Sequence, residues 1–243
     1  MSNIIEQLRK RASELQGTVV LPETEDPRVL KAAAFLCKQQ ICSVTLLGSK
    51  NKIGAAAQKE KIQLSESIQY VNLTTVPFAD ELVAHLYHRR KHKGISRDEA
   101  RKALADSLYL GASLVAIGRA DACVAGSIAP TGNVIRAAIH AIGLKESVDI
   151  VSSTFLMALK DGRVLTYADC GVVPYPDASQ LADIALESAR THRLLTRQEP
   201  QVAMLSFSTK GSAQHPKTAL VTEALEIAQQ RDPELEYRRR VPV

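Results

Sequence analysis

The chain has 243 residues, 45% of them hydrophobic, with 31 basic against 26 acidic side chains and a formal charge of +5. That length buries a real core as one large domain or two small ones. The charges are largely interspersed and aromatics make up only 4%, so no basic and aromatic platform for nucleic acid stands out, and no apolar run reaches the roughly 18 residues that cross a bilayer.

Met1 to Leu15 reads as a charged amphipathic helix without the apolar centre of a secretory signal, which places the protein in the cytoplasm. Short β-rich runs then recur at Thr18–Leu21, Ser43–Leu47, Ile68–Leu73, Ala122–Ala125, Ile150–Leu156, Val164–Tyr167 and Val202–Leu205, separated by helix-length segments. Such alternation is the signature of an α/β fold. The punctuation agrees. Asp26-Pro27 supplies an N-cap and a first-turn proline for a helix through Leu36, and Gly48, Gly94, Gly118 and Gly143 stand where elements should stop. Asp177 caps another helix, in which Leu181, Ile184, Ala185 and Ala189 form one apolar face for packing on a sheet. The four cysteines (Cys37, Cys42, Cys123, Cys170) form no CxxC pair and suit reduced, buried thiols. No repeat or low-complexity linker interrupts the chain, so a domain boundary is expected at a short crossover near Lys145 to Asp149.

Four clusters have the residue types for chemistry. From Gln201 a strand-like run ends in Ser206, Ser208, Thr209, Lys210, Gly211 and Ser212, with a helix following from about Lys217. Hydroxyls, a lysine and a flexible backbone at the carboxyl end of a strand suit an anion, although the order Lys-Gly-Ser is not that of a P-loop, and an ordinary solvated turn fits the pattern equally well. Gly126-Ser127-Ile128-Ala129-Pro130-Thr131-Gly132-Asn133 precedes a helix carrying Arg136, and its small residues allow a phosphate-bearing ligand to approach backbone amides. His88 to Gly94 gathers cations at a helix C-terminus, where the helix dipole alone favours them. His85, His88 and His92 share a face there, but with cations around them and no acidic or thiol ligand beside them no metal is expected. Tyr167-Ala168-Asp169-Cys170 ends a strand in a carboxylate and a thiol; Cys170 reads as a packed small side chain rather than a nucleophile.

Taken in order, Leu21-Pro22-Glu23-Thr24-Glu25-Asp26-Pro27-Arg28 through Ala33, Arg90-Lys91-His92-Lys93-Gly94, Val151-Ser152-Ser153-Thr154-Phe155, Tyr167 to Cys170, Pro176-Asp177-Ala178-Ser179-Gln180-Leu181-Ala182 and Met204 to Ala213 resemble the phosphate acetyltransferase family. The resemblance runs from Met1 to about Tyr237. It implies acetyl transfer between coenzyme A and inorganic phosphate, with no cofactor, no metal and no covalent acyl-enzyme, coenzyme A and acetyl-CoA being substrates. It also implies a homodimer of two α/β domains, each a three-layer αβα sandwich with a mixed sheet, and an active site in the cleft between them. The domains would be residues 1–147 and 148–243, the second incomplete. By position Arg90 and Arg136 match arginines that bind substrate and phosphate in the family, and Ser127, Thr131 and Ser206 to Ser212 match segments near the coenzyme A and phosphate sites. Phosphate butyryltransferase and an inactive coenzyme A-binding remnant are the alternatives.

Two departures stand out. Ala137 replaces a usual proline after the arginine. Beyond Glu236 the family continues with an Asp-Gly-Glu-Leu-Gln-like segment and a late Ser-Arg-Gly motif with an aspartate, whereas this chain reads Tyr237-Arg238-Arg239-Arg240-Val241-Pro242-Val243. Codons for that basic tail, read one base later, can spell Asp-Gly-Glu-Phe-Gln, which suggests a shifted or truncated frame with little turnover; a natural or engineered short form is the other reading.

Overall fold

The computed structural model describes residues 4–146, 148–207 and 215–237. The chain divides into two compact units, Gln7–Gly143, and Leu144–Val243 together with Met1–Glu6.

The elements run α1 (Ile4–Leu15), β1 (Thr18–Leu21), α2 (Pro27–Lys38), β2 (Ser43–Leu47), α3 (Lys50–Lys59), β3 (Gln69–Val71), α4 (Ala79–Arg90), a 3-10 turn (Lys91–Lys93), α5 (Arg97–Ala103), α6 (Ser107–Ala116), β4 (Ala122–Cys123) and α7 (Thr131–Ala141). The four strands form one parallel sheet in the order β3-β2-β1-β4. Alternation along β1 and β2 sends side chains to opposite faces. Val20 and Leu47 pack with Leu82, Leu86, Leu104, Leu110 and Leu114 from α4, α5 and α6 and the residues around them, while Leu21, Val44 and Leu46 pack with Leu30, Ala33 and Ile53 from α2 and α3. Helices therefore cover both faces, the three-layer arrangement expected of a buried parallel sheet. The local signals behave as read: Asp26 Oδ1 accepts from Arg28 N with Pro27 in the first turn of α2, and Gly48, Gly94, Gly118 and Gly143 all have positive φ. Gly111 of α6 allows a close approach, because a Cβ there would stand 2.8 Å from Cys123 Sγ.

The other unit contains β5 (Thr154–Ala158), β6 (Val164–Ala168), α8 (Ala178–Thr196), β7 (Gln201–Val202), α9 (Pro216–Arg231) and β8 (Glu236–Tyr237). Here β5 and β6 make an antiparallel hairpin, and β7 pairs with β8 in parallel over two residues. The strand expected at Ile150–Leu156 begins instead at Thr154, because Val151 to Ser153 lead into the ladder and Ser153 is engaged by Asp169. Asp177 and Gln180 form a capping box at the start of α8. Helix α8 buries Ala178, Ala182, Ile184, Leu186, Ala189 and Thr196, and of these Ala182, Leu186 and Ala189 pack with Ala228 of α9 and Leu235. Its principal neighbour is thus a helix, with β6 beside it, rather than a sheet alone.

Candidate active site

In a sheet of order β3-β2-β1-β4 the chain reverses its direction of winding between β1 and β4, and the crevice at the carboxyl ends of those two strands is where such folds bind ligands. The loop after β1 places Glu23, Thr24 and Asp26 there, all nearly buried. Thr24 Oγ1 donates to Leu47 O at 3.0 Å, tying the loop to β2. The loop after β4 carries Gly126 to Pro130 and runs into α7.

The structure redirects the amides of that second loop. Gly126 N and Ser127 N donate to Glu23 Oε2 at 2.7 Å each, and Ile128 N and Ala129 N donate to Glu23 Oε1 at 2.9 and 2.7 Å. Four successive N–H groups converge on a carboxylate that is 5% exposed. Burial pushes the Glu23 proton affinity up, but the four hydrogen bonds together outweigh it and leave the carboxyl below its ordinary range. The Ser127 hydroxyl donates to Asp26 Oδ2, and Arg28 Nη2 donates to both Asp26 Oδ2 at 2.6 Å and Ser127 O at 2.8 Å. Arg28 and Ser127 hold the Asp26 carboxyl well below the usual range. The amides read from sequence as phosphate donors are therefore occupied by a side chain of the protein itself.

The two sequence-identified arginines lie elsewhere in the same unit. Arg90 ends α4, and Arg136 sits on the second turn of α7 with Nη1 3.4 Å from Asn133 Oδ1. Both act electrostatically on one hydrogen-bonded pair, Tyr109 Oη and His140 Nδ1, 2.8 Å apart. Burial first, then the two guanidinium groups, push the His140 proton affinity below its ordinary value. Among the described residues neither arginine has a carboxylate within ion-pair distance. Two unpaired guanidinium groups beside a neutral imidazole form a site suited to an anion. Thr131 opens α7 and is exposed. Ala137, the departure from the usual proline, is buried in α7.

Among the remaining candidates, Ser206 is exposed after β7, while Ser208, Thr209, Lys210, Gly211 and Ser212 lie outside the described residues, as does the basic tail from Arg238. In the β6 turn Asp169 Oδ1 accepts from Ser153 N and Ser153 Oγ at 2.7 Å each, and Asp169 Oδ2 accepts from Val173 N at 2.7 Å and Val172 N at 2.9 Å. Cys170 is partly exposed, and its Sγ donates to Tyr167 O at 3.1 Å. His85 Nε2 lies 2.8 Å from Ala141 O, which gives this member of the histidine face a structural partner. Sequence reading assigned no role to Glu23, Tyr109 or His140. The one available signal was the placement of His140 four residues after Arg136, one turn along the same helix face.

A profile of the phosphate acetyl/butaryl transferases matches residues 3–238. The chain belongs to this family. It is 38% identical to the phosphate acetyltransferase of Thermoanaerobacterium thermosaccharolyticum over 96% of its own length and 72% of that protein's. It is 40% identical to that of Nitratidesulfovibrio vulgaris, again over 96% of its own length, and spans about a third (32%) of that longer relative. EutD phosphotransacetylase from Staphylococcus aureus superposes with a TM-score of 0.88 at 34% identity, covering all of this chain and 74% of that one. A phosphotransacetylase from Streptococcus pyogenes gives 0.90 at 31% identity, covering 97% and 71%. The likeness to phosphotransacetylases thus holds in both sequence and fold.

Proposed function

We propose that this protein is a phosphate acetyltransferase: acetyl-CoA and inorganic phosphate give acetyl phosphate and coenzyme A. The observation that carries the reading is the pair of unpaired guanidinium groups, Arg90 and Arg136, in a chain whose relatives are named for this reaction. Arg90 and Arg136 bind phosphate and the charge that develops on the thioester oxygen; the substrate-binding roles of Ser127, Thr131, Ser206, Ser208, Thr209, Lys210, Gly211 and Ser212 are carried by the family resemblance alone. A phosphate oxygen attacks the acetyl carbonyl carbon in a ternary complex, the tetrahedral intermediate collapses with cleavage of the C–S bond, and coenzyme A leaves as the thiolate that then takes up a proton. Cys170 does not accept the acetyl group; a thiol donating to a backbone carbonyl supports that assignment. No metal or cofactor enters this scheme. We further propose domains of residues 1–147 and 148–243 and a cytoplasmic homodimer; the half-buried free thiols suit a reducing compartment.

The test is phosphate-dependent release of free coenzyme A thiol from acetyl-CoA, beside calorimetry with coenzyme A. Arg136→Ala is expected to lower turnover or phosphate affinity by about 10- to 100-fold, since charge-assisted hydrogen bonds contribute roughly 1.5 to 3 kcal/mol each. Arg89→Ala, which removes a neighbouring guanidinium packed over Gly143, is expected to leave both nearly unchanged. Coenzyme A binding without thiol release would replace the enzyme with a binding protein, and the absence of both would overturn the reading.

A further inference from the structure

His140 follows Arg136 by one helical turn on α7, and it is tied to a second helix. Its Nδ1 stands 2.8 Å from Tyr109 Oη of α6, with ring centroids 5.8 Å apart. The groups facing this pair come from three helices. From α4, Arg90 acts on the ring directly, His85 is bonded to Ala141 O one residue on, and Arg89 packs over Gly143. From α7 comes Arg136. At the start of α6, Asp106 couples to Tyr109 while its Oδ1 accepts from Leu108 N at 2.8 Å. Neutral His140 is thus held among cations, with its nearest hydrogen bond made to a hydroxyl that can donate or accept.

We propose that Tyr109 and His140 are the third, proton-linked arm of the Arg90 and Arg136 anion site: a dianion held there draws a proton from solvent onto the imidazole. The inference rests on the reading of those arginines as the anion site. Two cations near a ring disfavour a third positive charge, and an anion that neutralises them reverses the sign of that interaction. The hydrogen bond survives the change. In the neutral ring with its proton on Nε2 the Tyr109 hydroxyl donates to Nδ1; in the imidazolium Nδ1–H donates to the Tyr109 oxygen, so protonation turns the bond around rather than breaking it. Tyr109 is a positioning residue in this scheme, and His140 supplies charge that follows occupancy. Binding raises the proton affinity of His140, so anion affinity is highest below the free pKa and falls as pH rises through the bound pKa, by about tenfold for each unit of difference between them.

Sulfate is the probe, because it remains a dianion where phosphate itself titrates. Calorimetry of sulfate binding to the whole chain near pH 6.5, the ordinary imidazole value, in two buffers of different ionisation heat measures the protons taken up. The wild type is expected to take up a fraction of a proton, and H140Q to bind sulfate within several-fold while taking up none. The His140 ring signals of the wild type, titrated by NMR with and without sulfate, are expected to move to higher pKa when sulfate is present, a readout that needs no folded variant. Buffer-independent heat in the wild type, uptake retained in H140Q, or an unmoved ring titration would overturn the proton-linked arm. If R90A and R136A bind sulfate as tightly as the wild type, or the wild type binds none, it is the arginine site beneath the inference that fails.

Discussion

Each unit of the chain ends a strand near a carboxylate that gathers backbone amides, yet the two carboxylates stand in unlike surroundings. Glu23 lies in the loop at the carboxyl end of β1, in a parallel sheet with helices on both faces, and its four amide partners come from a loop a hundred residues further along. Asp169 lies at the end of a two-stranded hairpin whose side chains remain open: Phe155 is 60% exposed and Tyr167 51%. Its amide partners Val172 and Val173 are a few residues away, and only Ser153 is drawn from another strand's approach. The same hydrogen-bonding device joins distant segments in one unit and shapes a local turn in the other. Its energetic weight should differ accordingly, because losing a tie between distant segments frees more of the chain than losing one within a turn.

The largest expected effect tests this directly. Glu23→Ala removes the acceptor of four amides from a loop a hundred residues away and should lower the unfolding free energy by about 3 to 5 kcal/mol in urea titrations, whereas Asp169→Ala, most of whose amide partners are local, should cost about 1 to 3 kcal/mol. Equal losses would mean that joining distant segments adds nothing to the device. The pH dependence sharpens the same point. A carboxylate whose folded proton affinity is lowered contributes stability above its ordinary pKa, 4.5 for Glu, and loses it as pH falls through the lowered folded value. Stability of the wild type should therefore decline below about pH 4.5. Glu23→Gln should flatten that decline without abolishing it, since Asp26 and Asp169 are lowered too.

Packing gives the next contrast. Gly111→Ala would press a methyl against Cys123 in the closed unit and is expected to cost about 1 to 3 kcal/mol in thermal or urea unfolding. Gly162→Ala, at the hairpin tip with φ +87 and no neighbour in reach, should cost only the backbone strain, about 1 kcal/mol. A larger loss at Gly162 would show that the hairpin is more tightly covered than its exposure indicates. The smallest effect is expected at Cys170→Ser, which keeps a donor for Tyr167 O and should retain most turnover. A kinetically competent acetyl-Cys170 detected by mass spectrometry would replace direct transfer with a covalent route.

What could be read along the chain was what short-range chemistry writes there. Caps at Asp26 and Asp177, the first-turn proline of α2, stop glycines and the short β-rich runs of β1 and β2 act over a few residues, so they survive in the sequence as patterns. Family likeness added Arg90 and Arg136, and the tertiary structure brought both onto the Tyr109 and His140 pair. The role of the Gly126 loop did not follow from its composition. Small residues and free amides look the same in sequence whether an outside phosphate or the protein's own carboxylate will face them, and only the strand order that sets β1 beside β4 decides for Glu23. The register of the later strands was likewise set by long-range partners, as the start of β5 at Thr154 after the Ser153 and Asp169 contact shows. Sequence by itself determined the order of the elements, where the capped helices begin, and that the arrangement is α/β. Tertiary structure decided which buried donor meets which acceptor, because that pairing is made between segments a hundred residues apart and no local pattern records it.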